Sequence, residues 1–587
     1  MIQNGGGQRL KGSDYIAEFL IEMGCTHVFG YPGGAVTHLV DSFYRYEGLK
    51  FIGTYHEQAA AFAAEGYARM NNRIGVAIAT SGPGATNLIT GIGSAYFDSI
   101  PVLYLTGQVN TYEYKGNQKV RQLGFQETDI VSIVKPITKY AVRITDPNTI
   151  RYELEKAIST ANAGRKGPVL VDIPMDVQHA EVNVQDMPTY IEKEQREQMI
   201  PIDTVIQRIN NSKRPVFLVG GGVRLANATS VFHRVAARLQ IPVVSSLMGR
   251  DAYDNAAENY IGMIGAYGNR YANLTIANSD LILALGTRLD TRQTGTRPET
   301  FAREATLIRV DIDQNELERK VKTDELSIRC DVKIFLEAVE RRIEEIHIAA
   351  PEWLAKAKEY KATYPTYSQP SFSDPNFVME KLSKCLKNDD VLCLDVGQNQ
   401  MWAAQSLHLS GNARLLTSGG MGSMGFGLPC AVGAYYSGKH GNIIVITGDG
   451  GLQMNIQELE LLKRNRIPIK IIIMNNHSLG MIRHFQEMYF EGRYSATVTG
   501  YEAPDFCKLA QAYGINNIKI NNEDDFEKIT EYLLAQEPAV IEIGLPQKTY
   551  VYPKLAVNRP IEDQEPLLSR DEFLKNMIIK PDDSGDA

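Results

Sequence analysis

The sequence has little that would place it in an oxidising compartment, a membrane or a nucleoprotein. Its six cysteines, at 25, 330, 385, 393, 430 and 507, are scattered, and none forms a Cys-x-x-Cys pair. Neither a disulfide framework nor a zinc site is signalled, and reduced thiols fit a cytoplasmic protein. No apolar run approaches the ~20 residues that span a bilayer. The start, MIQNGGGQRLKG, lacks the apolar core of a signal peptide. No long lysine or arginine run occurs, so nucleic acid is not an expected partner. Short-period repeats and low-complexity blocks are also missing. The net charge of -8 favours solubility and sets no substrate class.

What is present is an ordinary globular composition, 44% hydrophobic and 22% charged. At roughly 100–200 residues per domain, 587 residues predict about three or four domains. Short β-rich runs alternate with helical patterns, which predicts α/β layers with parallel sheets. Ser13 and Asp14 can cap a helix whose Ile16, Phe19, Leu20 and Met23 share a face. GVAIAT, PVLYLTG and GPVLVDIP read as buried strands of a first domain, residues 1–185. A polar, proline-bearing linker follows at 186–200. PVFLVGGG, IPVVSS, DLILALG and TLIRVDID belong to a second domain, 201–350, and a second polar linker covers 351–375. VLCLDVG, GNIIVITGDGG, PIKIIIMNN and AVIEIG make a third domain, 376–550. The tail, 551–587, ends in PDDSGDA and is expected to fray at its tip. The expected fold class is α/β, with three doubly wound parallel-sheet domains.

The strongest local signal is Gly448-Asp449-Gly450 followed by Asn475-Asn476, with Asp449 and Asn476 27 residues apart. A helix-like stretch and then the strand IKIIIM lie between them. A βαβ unit of that length sets two strand ends side by side. A carboxylate and an amide oxygen then converge at the crevice where α/β proteins bind ligands. Hard oxygen donors suit magnesium, which is commonly shared with phosphates. Gly450 and Gly451 leave room for a diphosphate near backbone N–H groups at a helix start. A second signal is Tyr55-His56-Glu57-Gln58 before AAAFAAEGYAR. Glu57 is either a functional carboxyl in small-residue surroundings or a helix-start acid favoured by the dipole. The local sequence leaves both readings open.

His-Glu-x-x-Ala, SGPGATN (Ser81–Asn87), Gly-Asp-Gly and Asn-Asn occur together with longer runs. These are FGYPGGAV, EGYAR, SGPGATNLITGI, FQETDI, GPVLVDIP, GQNQMWAAQ and TSGGMGSMGFGLP. Over roughly residues 10–550 the chain resembles the thiamine-diphosphate enzymes, in particular the acetohydroxyacid (acetolactate) synthase catalytic subunits. The resemblance implies a pyrimidine-binding first domain, a central FAD-binding-like domain and a diphosphate- and magnesium-binding third domain. It implies that Glu57 bonds the cofactor's aminopyrimidine and so promotes removal of the thiazolium C2 proton. Asp449, Asn476 and the backbone carbonyl of Ser478 would hold magnesium. Gln398, Asn399, Gly450 and Gly451 would meet the diphosphate. Gly422 and Met424 belong to a glycine-rich stretch in which Met424 props the cofactor into a bent shape. Gly34 and Gln126 match positions near the reacting carbonyl, and Phe125, Met481, Ile482 and Phe485 would wall the substrate pocket. Arg165, Gly221, Gly265, Arg288, Asp290, Arg292, Glu316 and Asp331 match flavin contacts, so bound FAD without a redox role is expected.

The implied activity is decarboxylation of pyruvate and transfer of the acetaldehyde unit to a carbonyl acceptor, either a second pyruvate or another ketone. A pyruvate oxidase and a non-oxidative 2-oxo acid decarboxylase are the competing enzymes. The family assembles as homodimers or homotetramers, because Glu57 and the magnesium motif reach one cofactor from different subunits. A small regulatory subunit is a further partner open to such chains. Several residues depart from the synthase pattern. Phe485 replaces a Trp that helps select a larger acceptor. Asn110 replaces a Pro, Tyr267 and Asn399 replace His, and Met175 replaces Lys. The loop TYEYKGNQKVRQLG is longer and more polar than its counterpart. Its Lys115, Lys119 and Arg121 raise the alternative of an anionic acceptor, such as a nucleotide-linked keto sugar of branched-sugar biosynthesis. A merely solvated loop is the plainer explanation of those charges.

Overall fold

The computed structural model describes residues 9–192, 199–348, 351–367, 370–438 and 440–582. Its frame is three six-stranded sheets, each wholly parallel. The first runs, in spatial order, Lys50–Gly53, His27–Gly30, Gly75–Ala79, Val102–Gln108, Val169–Pro174 and Tyr140–Arg143. The third runs Arg414–Thr417, Val391–Leu394, Ile443–Gly448, Lys470–Asn475, Ala539–Gly544 and Asn516–Ile520. Numbered along the chain within each domain, both have the order 2-1-3-4-6-5. The middle sheet runs Tyr260–Met263, Val243–Ser245, Pro215–Val219, Leu281–Leu285, Thr306–Asp311 and Glu325–Arg329, which is order 3-2-1-4-5-6. That is the arrangement of dinucleotide crevices.

The sequence explains these sheets. Val102–Gln108 and Val169–Pro174 are buried along their whole length, as expected for parallel strands covered on both faces. In each sheet strand order reverses beside the first strand, and the crossovers on either side diverge there, leaving a crevice at the carboxyl ends. In the third sheet the reversal lies between Val391–Leu394 and Ile443–Gly448. Asp395 and Asp449 are the first residues beyond those two strands.

The first and third domains share one hydrophobic core. It forms where helix Glu57–Asn71 meets helix Gly427–Tyr436. Ala59 to Ala64 are fully buried there. A Cβ on Gly66 would lie 2.2 Å from the Cys430 carbonyl oxygen, and one on Gly433 only 1.8 Å from that of Ala63. Small residues thus let two backbones touch.

One segment differs from its sequence reading. Residues 351–363, expected within a linker, form the helix Pro351–Thr363. Trp353, Leu354, Ala357 and Tyr360 are its buried face, and Trp353 Nε1 donates to the Pro215 carbonyl at 3.0 Å. The charged residues between them masked that stripe. The tail returns over the middle domain, with Ile561 and Phe573 buried. Tyr360 Oη donates to the Asn576 carbonyl at 2.7 Å. Most of the tip that was expected to fray, 583–587, lies outside the described residues, as does 193–198 of the first linker. Among the described residues no helix is long and apolar enough to cross a membrane.

Candidate active site

Two neighbouring strand ends carry the Gly-Asp-Gly and Asn-Asn motifs. Gly448 stands opposite Met474, so Asp449 leaves its strand level with Asn475, and Asn476 follows. Both Asp449 and Asn476 are buried. Burial pushes the Asp449 carboxyl up to about 6, against the hydrogen bond donated by Tyr501 Oη at 3.1 Å. His477 takes a φ of 51°, closing a tight turn. In that turn the Ser478 N–H donates to Asn476 Oδ1 at 3.2 Å. The other end of the Asn476 amide, Nδ2, donates to Thr549 Oγ1 at 2.7 Å and to Gln398 Oε1 at 3.1 Å. Gly450 and Gly451 sit in the first turn of helix Asp449–Gln453.

Met424 reaches the same place. A Cβ built on Gly450 would lie 3.5 Å from Met424 Cε. The glycine-rich stretch around Met424 is gripped by Asp395, whose carboxylate accepts from Gly425 N and Gly427 N, both at 3.0 Å. Burial pushes Asp395 up to about 6, and its backbone donors oppose that shift. Gly422 has a φ of 68° with open space where a Cβ would stand. Upstream, Asp98 of the first domain accepts from Gly419 N at 2.9 Å and Gly420 N at 2.7 Å. Arg69 Nη2 binds the same carboxylate at 2.7 Å.

Gln398 and Asn399 are placed beside this cluster, but their amides are engaged. Gln398 Nε2 donates to the Thr549 carbonyl at 3.0 Å. Asn399 Nδ2 donates to the carbonyls of Asp395 and Ile446. What these residues leave for an anion is backbone N–H at the start of helix Gln398–Ser406.

Glu57 opens helix Glu57–Asn71, with His56 Nδ1 accepting from Gln58 N at 3.1 Å. Its Oε2 accepts from Asn87 Nδ2 at 2.9 Å. A Cβ on Gly84 would lie 3.0 Å from Glu57 Oε1, and one on Gly82 would lie 3.0 Å from Gln126 Cβ. Gln126 itself has a φ of 65°. The Ala35 N–H, next to Gly34, donates to Thr80 Oγ1 at 3.1 Å. Gly34, Glu57 and Gln126 are therefore gathered around the turn at 80–87. Among the described residues no hydrogen bond joins Glu57 or Gln126 to Asp449, Asn476 or Ser478.

The four residues expected to wall a substrate pocket are split between domains. Phe125 stands on the first, 85% exposed. Met481, Ile482 and Phe485 lie on helix Gly480–Tyr489 of the third, with Ile482 and Phe485 exposed. The long loop before Phe125 is built rather than slack. Buried Glu127 accepts from Lys115 N at 3.0 Å, Leu123 N at 2.7 Å and Gly124 N at 3.3 Å. Lys115 Nζ closes the loop onto the carbonyls of Val120 and Arg121, and Lys119 and Arg121 face solvent.

A cavity of about 230 Å³ lies where the three domains meet. Gly221 and Arg288 line it just beyond the strands at which the middle sheet reverses, together with Asp290, Arg292 and Asp331. Arg165 contributes from the first domain. Its guanidinium is paired with Asp313 at 3.0 Å and Glu316 at 2.9 Å. Glu316 thus stands behind Arg165 and does not line the cavity. Gly265 also stands behind the wall, where a Cβ would meet the Arg292 carbonyl oxygen at 2.3 Å.

Three family models match consecutive parts of the chain. The N-terminal TPP binding domain of thiamine pyrophosphate enzymes matches residues 10–133, their central domain 202–339, and their C-terminal TPP binding domain 395–543. The chain belongs to the thiamine pyrophosphate enzyme family. Curated relatives agree. The acetolactate synthase large subunit of Lactococcus lactis is 38% identical, over 93% of this chain and 94% of its own. The acetolactate synthase isozyme 2 large subunit of Escherichia coli is 35% identical, over 93% and 97%. The probable acetolactate synthase large subunit of Methanocaldococcus jannaschii is 38% identical, over 91% and 92%. The C-terminal match begins at Asp395, the residue that grips the glycine-rich stretch. Motif reading of a thiamine pyrophosphate enzyme does not reach Asp395, Asp98, Tyr501 or Thr549, because their roles depend on tertiary contact. Asn87 carried a signal, as the last residue of SGPGATN.

Proposed function

We propose that the protein is a carboligase of the acetolactate synthase type, which decarboxylates pyruvate and joins the acetaldehyde unit to a second carbonyl compound, in the first instance another pyruvate. The observation that supports this most is the set Asp449, Asn476 and Met424 at one crevice. The donor set fits a magnesium diphosphate: one carboxylate, one amide with its nitrogen end tied back, and a glycine-lined helix start. Thiamine diphosphate, when bound, supplies the nucleophilic carbon and the electron sink. Asp449, Asn476 and the Ser478 carbonyl would hold the cation, and Met424 would support the cofactor from the Gly450 side. Glu57, held by Asn87, presents a carboxyl for a pyrimidine nitrogen. Gln126 and Gly34 would border the reacting carbonyl.

Among the described residues of one chain the two clusters share no hydrogen bond, and Phe125 projects into solvent. Both facts support completion of each site by a second copy, as a dimer or dimer of dimers. Relatives named large subunits also support a small regulatory partner. The central cavity, at the switch point of a 3-2-1-4-5-6 sheet and with arginines in its wall, supports bound FAD as a structural group. Six free cysteines fit the cytoplasm.

A second acceptor class is favoured by one feature. The loop before Phe125 is pinned by Glu127 and holds Lys119 and Arg121 outward, which suits an anionic acceptor such as a nucleotide-linked keto sugar. Product analysis decides between acceptors. The protein with thiamine diphosphate, magnesium and FAD should convert pyruvate alone to 2-acetolactate. Free acetaldehyde, or oxidation of pyruvate with flavin bleaching at the turnover rate, would overturn the carboligase reading. Slow acetolactate formation, with fast transfer to an added anionic ketone, would select the second acceptor.

A further inference from the structure

The Asn476 amide can serve a cation only if its oxygen faces outward. Rotation by half a turn about its last bond would present N–H groups to the metal instead. The hydrogen bonds around Thr549 fix that choice by donor count. The Thr549 carbonyl is an acceptor only. Fully buried Arg483 donates to it through Nη2, and Gln398 Nε2 donates to it at 3.0 Å. With its nitrogen so committed, Gln398 turns Oε1 toward Thr549 and Asn476. The Thr549 hydroxyl gives its one proton to that oxygen at 2.8 Å. Its lone pairs remain, and Asn476 Nδ2 donates to them at 2.7 Å and to Gln398 Oε1 at 3.1 Å. Both acceptors on this side call for the nitrogen end of the amide. Asn476 Oδ1 is left on the other side, beside the Ser478 N–H.

A glycine makes room for the cluster. A Cβ at residue 480 would lie 2.0 Å from Gln398 Oε1 and 2.9 Å from Asn476 Nδ2. Thr549 itself comes from the segment that follows strand Ala539–Gly544 and leads into the tail. Nothing in its local sequence marks it.

We propose that Thr549 is a positioning residue for the cation site: its hydroxyl orients the Asn476 amide so that the oxygen, not the nitrogen, meets magnesium. The inference rests on the magnesium assignment made above. Partners that orient a metal ligand typically contribute about 10–100-fold to metal affinity. The test is a calorimetric titration of magnesium into the full-length protein with thiamine diphosphate present, reading the magnesium concentration for half-maximal cofactor binding. T549V keeps shape and loses the hydroxyl, and should raise that concentration about tenfold or more. T549S keeps the hydroxyl and should stay within about threefold of wild type. The thermal midpoint of each metal-free protein reports folding, and T549A replaces T549V should the latter not fold. Unchanged magnesium dependence in T549V, or equal losses in T549S and T549V, would overturn the proposal. Wild-type cofactor binding that ignores magnesium would overturn the cation site itself, and Thr549's role with it.

Discussion

Glu57 is one hydrogen bond from a fixed position: Asn87 holds Oε2, and the small turn at Gly84 packs against Oε1. Glu57→Gln keeps the shape and removes the acid. Cofactor binding should survive while exchange of the thiazolium C2 proton, followed by NMR, slows by about 10²–10⁴-fold. Exchange at the wild-type rate would reject the role. A nearby carboxyl behaves differently. Glu458 accepts from Tyr55 N at 2.9 Å, and burial pushes it up to about 7. Its folded pKa lies above the ~4.3 of an unfolded chain, so protonation favours the fold. That contribution is complete below about pH 4 and is lost as pH rises through about 7. Glu458→Gln cannot ionise and retains an acceptor for Tyr55. Relative to wild type it should gain on the order of 1–3 kcal/mol as pH rises from about 4 to 7 and hold that gain above, seen in urea midpoints. A constant offset across that range would contradict the burial effect. Asp449 and Asn476 stood out locally because a paired motif sets them at strand ends, whereas Glu57 stood out only through the family resemblance. Glu458 and Asp395 did not, since their importance lies in which backbone N–H groups fold back onto them.

At the scale of elements, the crossing of helices Glu57–Asn71 and Gly427–Tyr436 sets the distance between the two domains that carry the site. Gly433 has no room for a side chain, because its neighbour is backbone rather than a movable side chain. Gly433→Ala should destabilise by at least about 1–3 kcal/mol, the usual cost of overpacking. It should also weaken cofactor binding, since Met424 precedes the same helix. Urea unfolding together with a thiamine diphosphate titration checks both, and wild-type values would show that the contact is loose. The strands were readable because buried parallel strands are nearly continuous apolar runs. Helix Pro351–Thr363 was not, because four apolar residues among lysines and glutamates look like a linker until the surface they cover is known. The long loop before Phe125 was legible as an insertion. Its rigidity was not, as it depends on three backbone donors meeting one carboxylate.

For the whole molecule, alternating strand and helix patterns foretold three parallel-sheet domains. They did not foretell the shared core of the first and third domains, or the tail strapped over the second. The cavity at the junction of all three follows from that assembly, which is why flavin-matching residues such as Gly265 and Glu316 stand behind its wall. The proposed site is likewise a property of the assembly: Glu57 on one domain and Asp449 with Asn476 on another, with no hydrogen bond between them among the described residues. A crystal structure grown with thiamine diphosphate and magnesium measures this directly. The expected result is a magnesium ion on Asp449, Asn476 and the Ser478 carbonyl, with the same cofactor's pyrimidine bonded to Glu57 of a second copy. A cofactor bound elsewhere, or a pyrimidine out of reach of every Glu57, would contradict it.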